Sequence, residues 1–230
     1  MARQLTFDLP HRTALGRDDF LPAAANALAL TMLTAPQDWP QGRMLLTGPE
    51  GAGKTHLATI WAAETGAAVI RADELDPAGA DMLARPGGAV AIEDADRIPD
   101  PARDRAEAAL FHLWNLCAAR DCWLLVTARQ APREWGLRLP DLLSRMEAMP
   151  VTRIDAPDEA LLAAVLVKLF ADRQMTVPPG LIDWLVARMD RDLGLARRLV
   201  AALDAETMAS RAALTRPLAG AMLDRLDAGR

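Results

Sequence analysis

The chain has 230 residues, of which 51% are hydrophobic and 25% charged, and its formal net charge is −5 at pH 7. This composition is ordinary for a globular protein with one sizeable domain, or a main domain with a small satellite. The acidic balance argues against nonspecific nucleic-acid binding by the whole chain. No apolar run approaches the roughly 20 residues needed to cross a bilayer, and the first residues lack the apolar stretch of a signal peptide. The sequence therefore predicts a soluble, cytoplasmic protein that does not associate with membranes.

Cysteine and histidine are sparse. Cys117 and Cys122 offer neither a disulfide framework nor the spacing of a metal knuckle. The three histidines, His11, His56 and His112, are scattered along the chain. We therefore expect no metal centre built from these residue types.

The predicted elements begin after a short tail. Residues 1–18 carry little that could build a core. An Ala- and Leu-rich helix is predicted over 22–34, and Pro36 and Pro40 mark the turn that follows it.

Short apolar runs then alternate with helical stretches. The predicted strands are 43–47, 67–70, 89–92, 123–127 and 151–154. Helices are predicted over 55–64 and 102–120, because apolar residues in the second stretch recur at spacings of three and four. Uniformly apolar strands alternating with helices indicate an α/β fold with a parallel five-stranded sheet covered on both faces. We assign this α/β domain to residues 19–156.

After Pro157 the pattern becomes purely helical. Asp158 is a good N-cap, and the apolar residues that follow it form a stripe at helical spacing. Further helices are predicted over 181–189, over 195–210 and after Pro217. The sequence therefore predicts a small all-helical domain over residues 157–230.

A phosphate-binding loop follows the first predicted strand. It matches the pattern G-x-x-x-x-G-K-[ST] and reads Gly48-Pro49-Glu50-Gly51-Ala52-Gly53-Lys54-Thr55. Glycines in such a loop let backbone N–H groups curl around phosphate oxygens at the positive end of the following helix. Lys54 is predicted to reach the terminal phosphates, and the Thr55 hydroxyl is predicted to ligate Mg²⁺. The predicted ADP- or ATP-binding residues are Gly48, Gly51, Ala52, Gly53, Lys54, Thr55 and His56.

Two carboxylates, Glu93 and Asp94, end the third predicted strand. A P-loop enzyme needs an acidic partner at the end of another buried strand, where it holds the metal and polarises water. We assign Glu93 to Mg²⁺, usually through water, and Asp94 to orienting the attacking water. The loop and the acidic pair together predict a nucleotide site.

The residues around this site resemble the AAA+ class that includes the bacterial replication initiator DnaA. The P-loop runs into Lys54-Thr55-His56-Leu57, the end of the GKTHL motif of that family. Residues 20–29 are similar to the family's segment beside the adenine, and residues 139–145 resemble the L-x-S-R stretch that bears its arginine finger, here Arg145. The helical domain fits the AAA+ lid. The resemblance covers about residues 18–228 and implies an AAA+ P-loop NTPase with a helical lid.

The sequence ends at the predicted lid, whereas DnaA continues into a DNA-binding domain. This organisation is similar to the Hda family of DnaA-related regulators, which inactivate DnaA after replication begins. Gln4, Leu5, Phe7 and Leu9 resemble the peptide with which proteins dock on the replicative sliding clamp, the β subunit of DNA polymerase III. Three apolar side chains suit a groove, and a glutamine can fix the register by hydrogen bonding. The resemblance implies that DNA is reached only through the clamp.

The resemblance also implies a mechanism in trans for Arg145. The chain would meet ATP-loaded DnaA at the clamp, and Arg145 would promote hydrolysis of the ATP bound to DnaA, which limits replication initiation. An arginine finger is worth about 10³–10⁵ in rate. AAA+ proteins often place this arginine at a subunit boundary, so nucleotide-dependent homo-oligomers stay open.

Two positions depart from the family pattern. Arg129 stands where many relatives place an aspartate sensor, so either the Thr127 hydroxyl substitutes for it or the sensing is lost. Gly194 stands where the second sensor, an arginine, is expected, and Arg197 or Arg198 lies about one turn further. We therefore predict weak intrinsic ATPase activity.

Two other functions stay open. A helicase-loader or transposition-helper ATPase would share the initiator-like core, would bind a helicase or single-stranded DNA, and would leave the N-terminal peptide unexplained. A small-molecule P-loop kinase would need a substrate pocket with additional arginines. The separate helical domain and the L-x-S-R stretch count against the kinase.

Overall fold

The structure is a computed structural model that describes residues 15–210 and 212–228. A five-stranded sheet forms its centre, with strands β1 (Arg43–Thr47), β2 (Ala68–Arg71), β3 (Ala89–Glu93), β4 (Trp123–Ala128) and β5 (Val151–Arg153). The strands pair in the order β2-β3-β4-β1-β5, and every pair is parallel. The predicted α/β fold with a parallel five-stranded sheet is confirmed.

Helices surround the sheet and continue beyond it. Those that accompany the sheet are α1 (Ala27–Leu33), α2 (Lys54–Thr65), α3 (Pro77–Leu83), α4 (Asp100–Ala119) and α5 (Pro140–Glu147). Those that follow it are α6 (Glu159–Asp172), α7 (Leu181–Val186), α8 (Leu193–Ser210) and α9 (Arg216–Ala228). In the part of the chain that the structure describes, none of them is long and apolar enough to span a bilayer.

The sheet is covered on both faces because successive side chains of a strand point to opposite sides. Leu45 belongs to a core built with α3, α4 and α5, whereas its neighbours Met44 and Leu46 belong to the core on the side of α1 and α2. All three side chains are fully buried. This two-sided burial is why the central strands β1, β3 and β4 are mostly apolar, whereas the edge strands β2 and β5 alternate between more and less buried residues.

The helices after β5 pack around a core of their own, formed by apolar residues of α6, α7, α8 and α9. Asp158 caps α6 as predicted, because its carboxylate accepts a hydrogen bond from the backbone N–H of Leu161 at 2.7 Å. The predicted domain division at residue 157 stays a prediction.

The first helix is shorter than predicted, and two other helices were not predicted. The helix predicted over 22–34 begins only at Ala27, since Asn26 uses its side chain to stabilise a preceding turn. Its amide donates to the Leu21 carbonyl at 3.0 Å and accepts from the Ala23 N–H at 2.9 Å. Helices α3 and α5, each about two turns long, were not predicted, whereas the shorter α7 was predicted because it lies in a longer apolar stripe.

Candidate functional site

The loop of residues 48–53 joins the carboxyl end of β1 to the amino end of α2, which begins at Lys54. Gly51 and Gly53 adopt positive φ angles of 71° and 108°, which favour glycine. The first amides of α2 therefore face the space above the loop, at the positive end of the helix dipole. This is the geometry of an anion-binding loop.

The loop also docks against the helical region that follows β5. The carbonyl of Gly51 accepts a hydrogen bond from the N–H of Leu193, the first residue of α8, at 2.9 Å. A Cβ atom on Gly51 would lie only 1.9 Å from Oδ1 of Asp192. Close approach of α8 therefore requires glycine at this position, independently of phosphate binding.

Lys54 is folded back onto its own loop. Its side chain is nearly buried, and its ammonium donates to the carbonyls of Gly48 at 2.7 Å and Pro49 at 2.9 Å. Burial lowers the pKa of Lys54, while the nearby carboxylates of Asp94 and Asp96 oppose this shift. A phosphate above the loop would give the ammonium a stronger, charged acceptor.

Glu93 ends β3 beside the loop, as predicted from the sequence. Burial raises the pKa of Glu93, although the neighbouring Thr55 hydroxyl opposes this shift. Its Oε1 atom is buried and has no hydrogen-bond partner among the described residues. A hydroxyl and an orphaned carboxylate oxygen beside a phosphate site are donors that suit Mg²⁺, which is usually held by one or two carboxylates together with phosphates. No cluster of three or more His, Cys, Asp or Glu side chains forms a metal site within residues 15–210 and 212–228.

Asp94 lines a cavity above the P-loop, but its carboxylate already has a partner. Its carboxylate pairs with Arg71 at 3.1 Å, and its N–H donates to the hydroxyl of Thr127 at 3.2 Å. Its φ angle of 53° turns the chain sharply after β3. Thr127 is buried beneath it and does not line the cavity above the P-loop. The expected role of Thr127 as a substitute sensor therefore has no support in the geometry.

Two adjacent cavities lie beside the P-loop. The larger one has a volume of about 580 Å³ and lies between the segment before α1 and the helices α6 and α8, with apolar walls that include Phe20, Leu161 and Val165. The smaller one, of about 190 Å³, lies above the loop and is lined mainly by charged residues. Gly53, His56, Arg197 and Arg198 line both cavities.

His56 connects three parts of the chain at the junction of these cavities. Its Nδ1 lies 2.8 Å from Nη2 of Arg197, and its Nε2 lies 3.0 Å from the carbonyl oxygen of Gly16. Since arginine can only donate, Nδ1 must accept, and the proton must sit on Nε2. Burial lowers the pKa of His56, which agrees with this neutral form. His56 thus holds residue 16 and α8 against α2.

The segment before α1 is fixed to α6 by charge as well. Lys168 of α6 pairs with Asp19 at 2.8 Å. The hydrogen bond between them lowers the pKa of Asp19 and raises that of Lys168. The larger cavity therefore has two walls held together by an ion pair.

The residues at the two departing sensor positions both reach the smaller cavity. Arg129 lines it and pairs with Asp96 at 2.8 Å, so this position presents a cation instead of a carboxylate. Gly194 lines it without a side chain, and Arg197 and Arg198 fill the neighbouring space. The sequence left open whether Arg197 or Arg198 reaches the site, and in the structure both line this cavity.

Arg145 lies away from these cavities, on the last turn of α5. Its guanidinium stacks on Phe111 of α4, 4.3 Å from the ring centroid, and donates a hydrogen bond to Asn115. The start of α5 is fixed to the same helix, because the carboxylate of Glu107 accepts from the backbone N–H groups of Arg138 and Leu139. Helix α4 therefore holds α5 at both ends.

The structure brings together the P-loop residues, His56, Glu93 and Asp94, and it keeps Arg145 apart from them. The four residues of the predicted clamp-binding peptide, Gln4, Leu5, Phe7 and Leu9, lie outside the described residues. Glu50, Arg97 and Asp192 also line the smaller cavity. Glu50 belongs to the predicted loop but had no assigned role, and Arg97 and Asp192 were not predicted. For Arg97 a signal existed, since it follows the acidic pair closely at the same edge of the sheet. Asp192 is distant in sequence and becomes visible only in the folded chain.

Neither a protein-family model nor a curated protein sequence matches the chain. Among solved structures, domain III of the replication initiation protein DnaA from Thermotoga maritima matches with a TM-score of 0.72 and 16% identity, over 92% of this chain and 96% of that one. AMPPCP-bound DnaA from Aquifex aeolicus matches with a TM-score of 0.60 and 16% identity, over 76% of this chain and 60% of that one. RuvB from Thermotoga maritima matches with a TM-score of 0.65 and 17% identity, over 92% of this chain and 72% of that one.

These similarities define the class of fold. The chain has the AAA+ P-loop NTPase fold, with a parallel five-stranded sheet followed by a helical region. Domain III of DnaA shares this fold over nearly the full length of both chains.

Proposed function

We propose that this chain is a nucleotide-binding AAA+ regulatory protein that binds ADP or ATP, docks on the sliding clamp and promotes hydrolysis of the ATP bound to DnaA. The observation that carries the nucleotide-binding part is the pair of adjacent cavities around the P-loop. A cavity of about 580 Å³ with a partly apolar lining lies next to a charged cavity of about 190 Å³, and Gly53 and His56 line both. The first suits a base and ribose, and the second suits phosphates.

The chain's own residues would divide this work by chemistry. The apolar walls, such as Phe20 and Val165, would cover the base, while the amides at the start of α2 and the ammonium of Lys54 would bind the phosphates. Thr55 and Glu93 would hold Mg²⁺, which neutralises charge on the phosphates when bound. The structures of Aquifex aeolicus DnaA bound to AMPPCP and of a FIGL-1 AAA domain bound to ADP support a nucleotide as the ligand of such a fold.

We expect weak intrinsic hydrolysis. A carboxylate that orients the attacking water must be free to accept a hydrogen bond from it. In this chain the Asp94 carboxylate is paired with Arg71, and Arg129 replaces an acidic sensor. The site is therefore better suited to binding phosphates than to activating water.

The regulatory part of the proposal concerns Arg145. An arginine that acts on another protein's nucleotide must lie away from its own site, and Arg145 lines neither cavity. Its stacking on Phe111 limits the conformations of the guanidinium. A guanidinium held in this way loses less entropy when it meets a partner's phosphates. The match to DnaA domain III supports a DnaA-type surface as the partner.

Nucleotide binding is tested by titration calorimetry with ADP and with AMPPCP. Wild-type protein should bind, and Lys54→Ala should lose most of the affinity. Arg133→Ala, which removes a cation that lines neither cavity, should bind normally. Absence of binding by the wild type would refute the nucleotide-binding function.

The regulatory role is tested with purified DnaA carrying labelled ATP, in the presence of clamp loaded on DNA. Wild-type protein should accelerate hydrolysis, and Arg145→Ala should abolish this while retaining nucleotide binding. Full acceleration by Arg145→Ala would remove the finger assignment. Binding to a replicative helicase without any effect on DnaA would favour the helicase-loader alternative.

Clamp docking is tested separately. Wild-type protein and a variant with Gln4, Leu5 and Phe7 changed to Ala are compared for binding to purified clamp. Binding that the variant loses would support docking through this peptide. Equal binding by both forms would exclude the peptide as the docking site.

A further inference from the structure

A network of ion pairs occupies the phosphate end of the smaller cavity. Glu50, the third residue of the P-loop, is paired with Arg97 and lies 3.8 Å from Arg129. Arg129 is paired at 2.8 Å with Asp96, whose side chain is 2% exposed. Glu50, Arg97 and Arg129 line the cavity together with Lys54 and Thr55.

The two arginines are the groups that a terminal phosphate would need. Guanidinium groups form strong, charge-assisted hydrogen bonds to phosphate oxygens. Arg97 follows β3 and Arg129 follows β4, so they approach the cavity from two neighbouring strands at the carboxyl edge of the sheet. Buried Asp96 anchors Arg129 from below, which keeps its guanidinium at this edge.

The negatively charged carboxylate of Glu50 would repel a phosphate, and it already forms ion pairs with these two arginines. Its side chain is more than half exposed, so it is free to move when a stronger partner arrives. The Lys54 ammonium is close enough to feel the charges of both Glu50 and Arg129. A third phosphate next to Lys54 would therefore have to displace Glu50 from Arg97 and Arg129, whereas a diphosphate needs fewer of these contacts.

We propose that Glu50 is a specificity-determining residue that competes with the third phosphate of a nucleoside triphosphate for Arg97 and Arg129. This inference rests on the proposed nucleotide binding and names the residues that set the ratio of triphosphate to diphosphate affinity. Arg129 then discriminates between the nucleotide states through a cation, where an acidic sensor was expected. Glu50 weakens that contact and shifts the site towards diphosphates.

The test is calorimetric titration of AMPPCP and ADP, both with Mg²⁺, into wild-type protein and the variants Glu50→Gln and Arg129→Gln. Glu50→Gln should raise the affinity for AMPPCP relative to ADP by about fivefold, the upper range for a solvent-accessible ion pair. Arg129→Gln should lower this ratio by about tenfold, as expected for a lost hydrogen bond to a charged group. The glutamine at position 129 keeps a donor for Asp96, so the buried carboxylate is not left alone.

Glu64→Gln is the matched control, because it removes an exposed carboxylate of α2 that lines neither cavity. Its affinity ratio should equal that of the wild type, and thermal unfolding confirms that each variant is folded. An unchanged ratio in Glu50→Gln, with both nucleotides still bound, would overturn the inference and leave nucleotide binding intact. Failure of the wild type to bind either nucleotide would instead refute the proposed function itself.

Discussion

The contact between the P-loop and α8 makes a strong prediction at Gly51. Changing Gly51 to Ala places a Cβ atom 1.9 Å from Oδ1 and 2.8 Å from Cα of Asp192. The Cα atom belongs to the backbone and cannot rotate away, so either the loop or the start of α8 must move. The substitution should therefore separate the P-loop from the helical region and weaken nucleotide binding.

The chain offers a matched control for the backbone strain. Gly51 and Gly66 both have a φ angle of +71°, but a Cβ atom on Gly66 would meet nothing within 4 Å. The left-handed conformation alone costs a residue with a side chain about 1–2 kcal/mol. Overpacking at a tight contact adds about 1–3 kcal/mol. Gly66→Ala should thus lower the free energy of unfolding by about 1–2 kcal/mol, and Gly51→Ala by about 2–5 kcal/mol.

The unfolding free energy of both variants is measured by urea denaturation monitored by circular dichroism, and their affinity for ADP is measured by titration. Only Gly51→Ala should show the additional loss of stability and a reduced affinity for nucleotide. Equal unfolding free energies and equal affinities in the two variants would refute the docking of the P-loop on α8.

Two further predictions concern the supports of the site. Because burial lowers the pKa of His56 below its usual value near 6.5, the unfolded chain binds a proton at a higher pH than the folded chain does. Stability should therefore fall as pH falls from about 6.5 to the folded-state pKa. His56→Gln should flatten this part of the pH profile of the unfolding free energy, and an unchanged slope would contradict the neutral, buried state. Glu107→Ala leaves two backbone N–H groups before α5 without their acceptor and should cost about 2–3 kcal/mol. The control is Glu134→Ala, which removes a half-exposed carboxylate and should lower the free energy of unfolding by no more than about 0.5 kcal/mol. Equal losses of stability in the two variants would argue against this role of Glu107.

The local sequence determined the elements of the sheet and the phosphate loop. The central strands β1, β3 and β4 are short apolar runs, and two-sided burial requires this pattern regardless of the rest of the chain. The positions of Gly48, Lys54 and Thr55 relative to the strand and the helix follow from the loop motif, so they could be assigned without coordinates. Glu93 and Asp94 could be assigned for the same reason, because the carboxyl ends of parallel strands meet at one edge of the sheet.

The tertiary structure alone decided which distant side chains complete the site. Asp192 and Leu193 reach Gly51 only because the helices after β5 fold back over the P-loop, and no sequence spacing encodes that contact. The state of Asp94 was equally hidden, since its partner Arg71 lies on a neighbouring strand. Contacts with α4 fix both ends of α5, and no pattern in the sequence of α5 itself shows them.

The charges around the phosphate cavity illustrate the same division. The sequence identified Arg129 as a departure from an acidic sensor but left its consequence open. Folding places Arg129 between buried Asp96 and the P-loop residue Glu50. Asp96 holds the guanidinium in place, and Glu50 would compete with a phosphate for it. Residue types and local motifs thus determined the kind of site. Long-range packing determined its electrostatics, because the strength of an ion pair depends on distances and burial that only the folded chain creates.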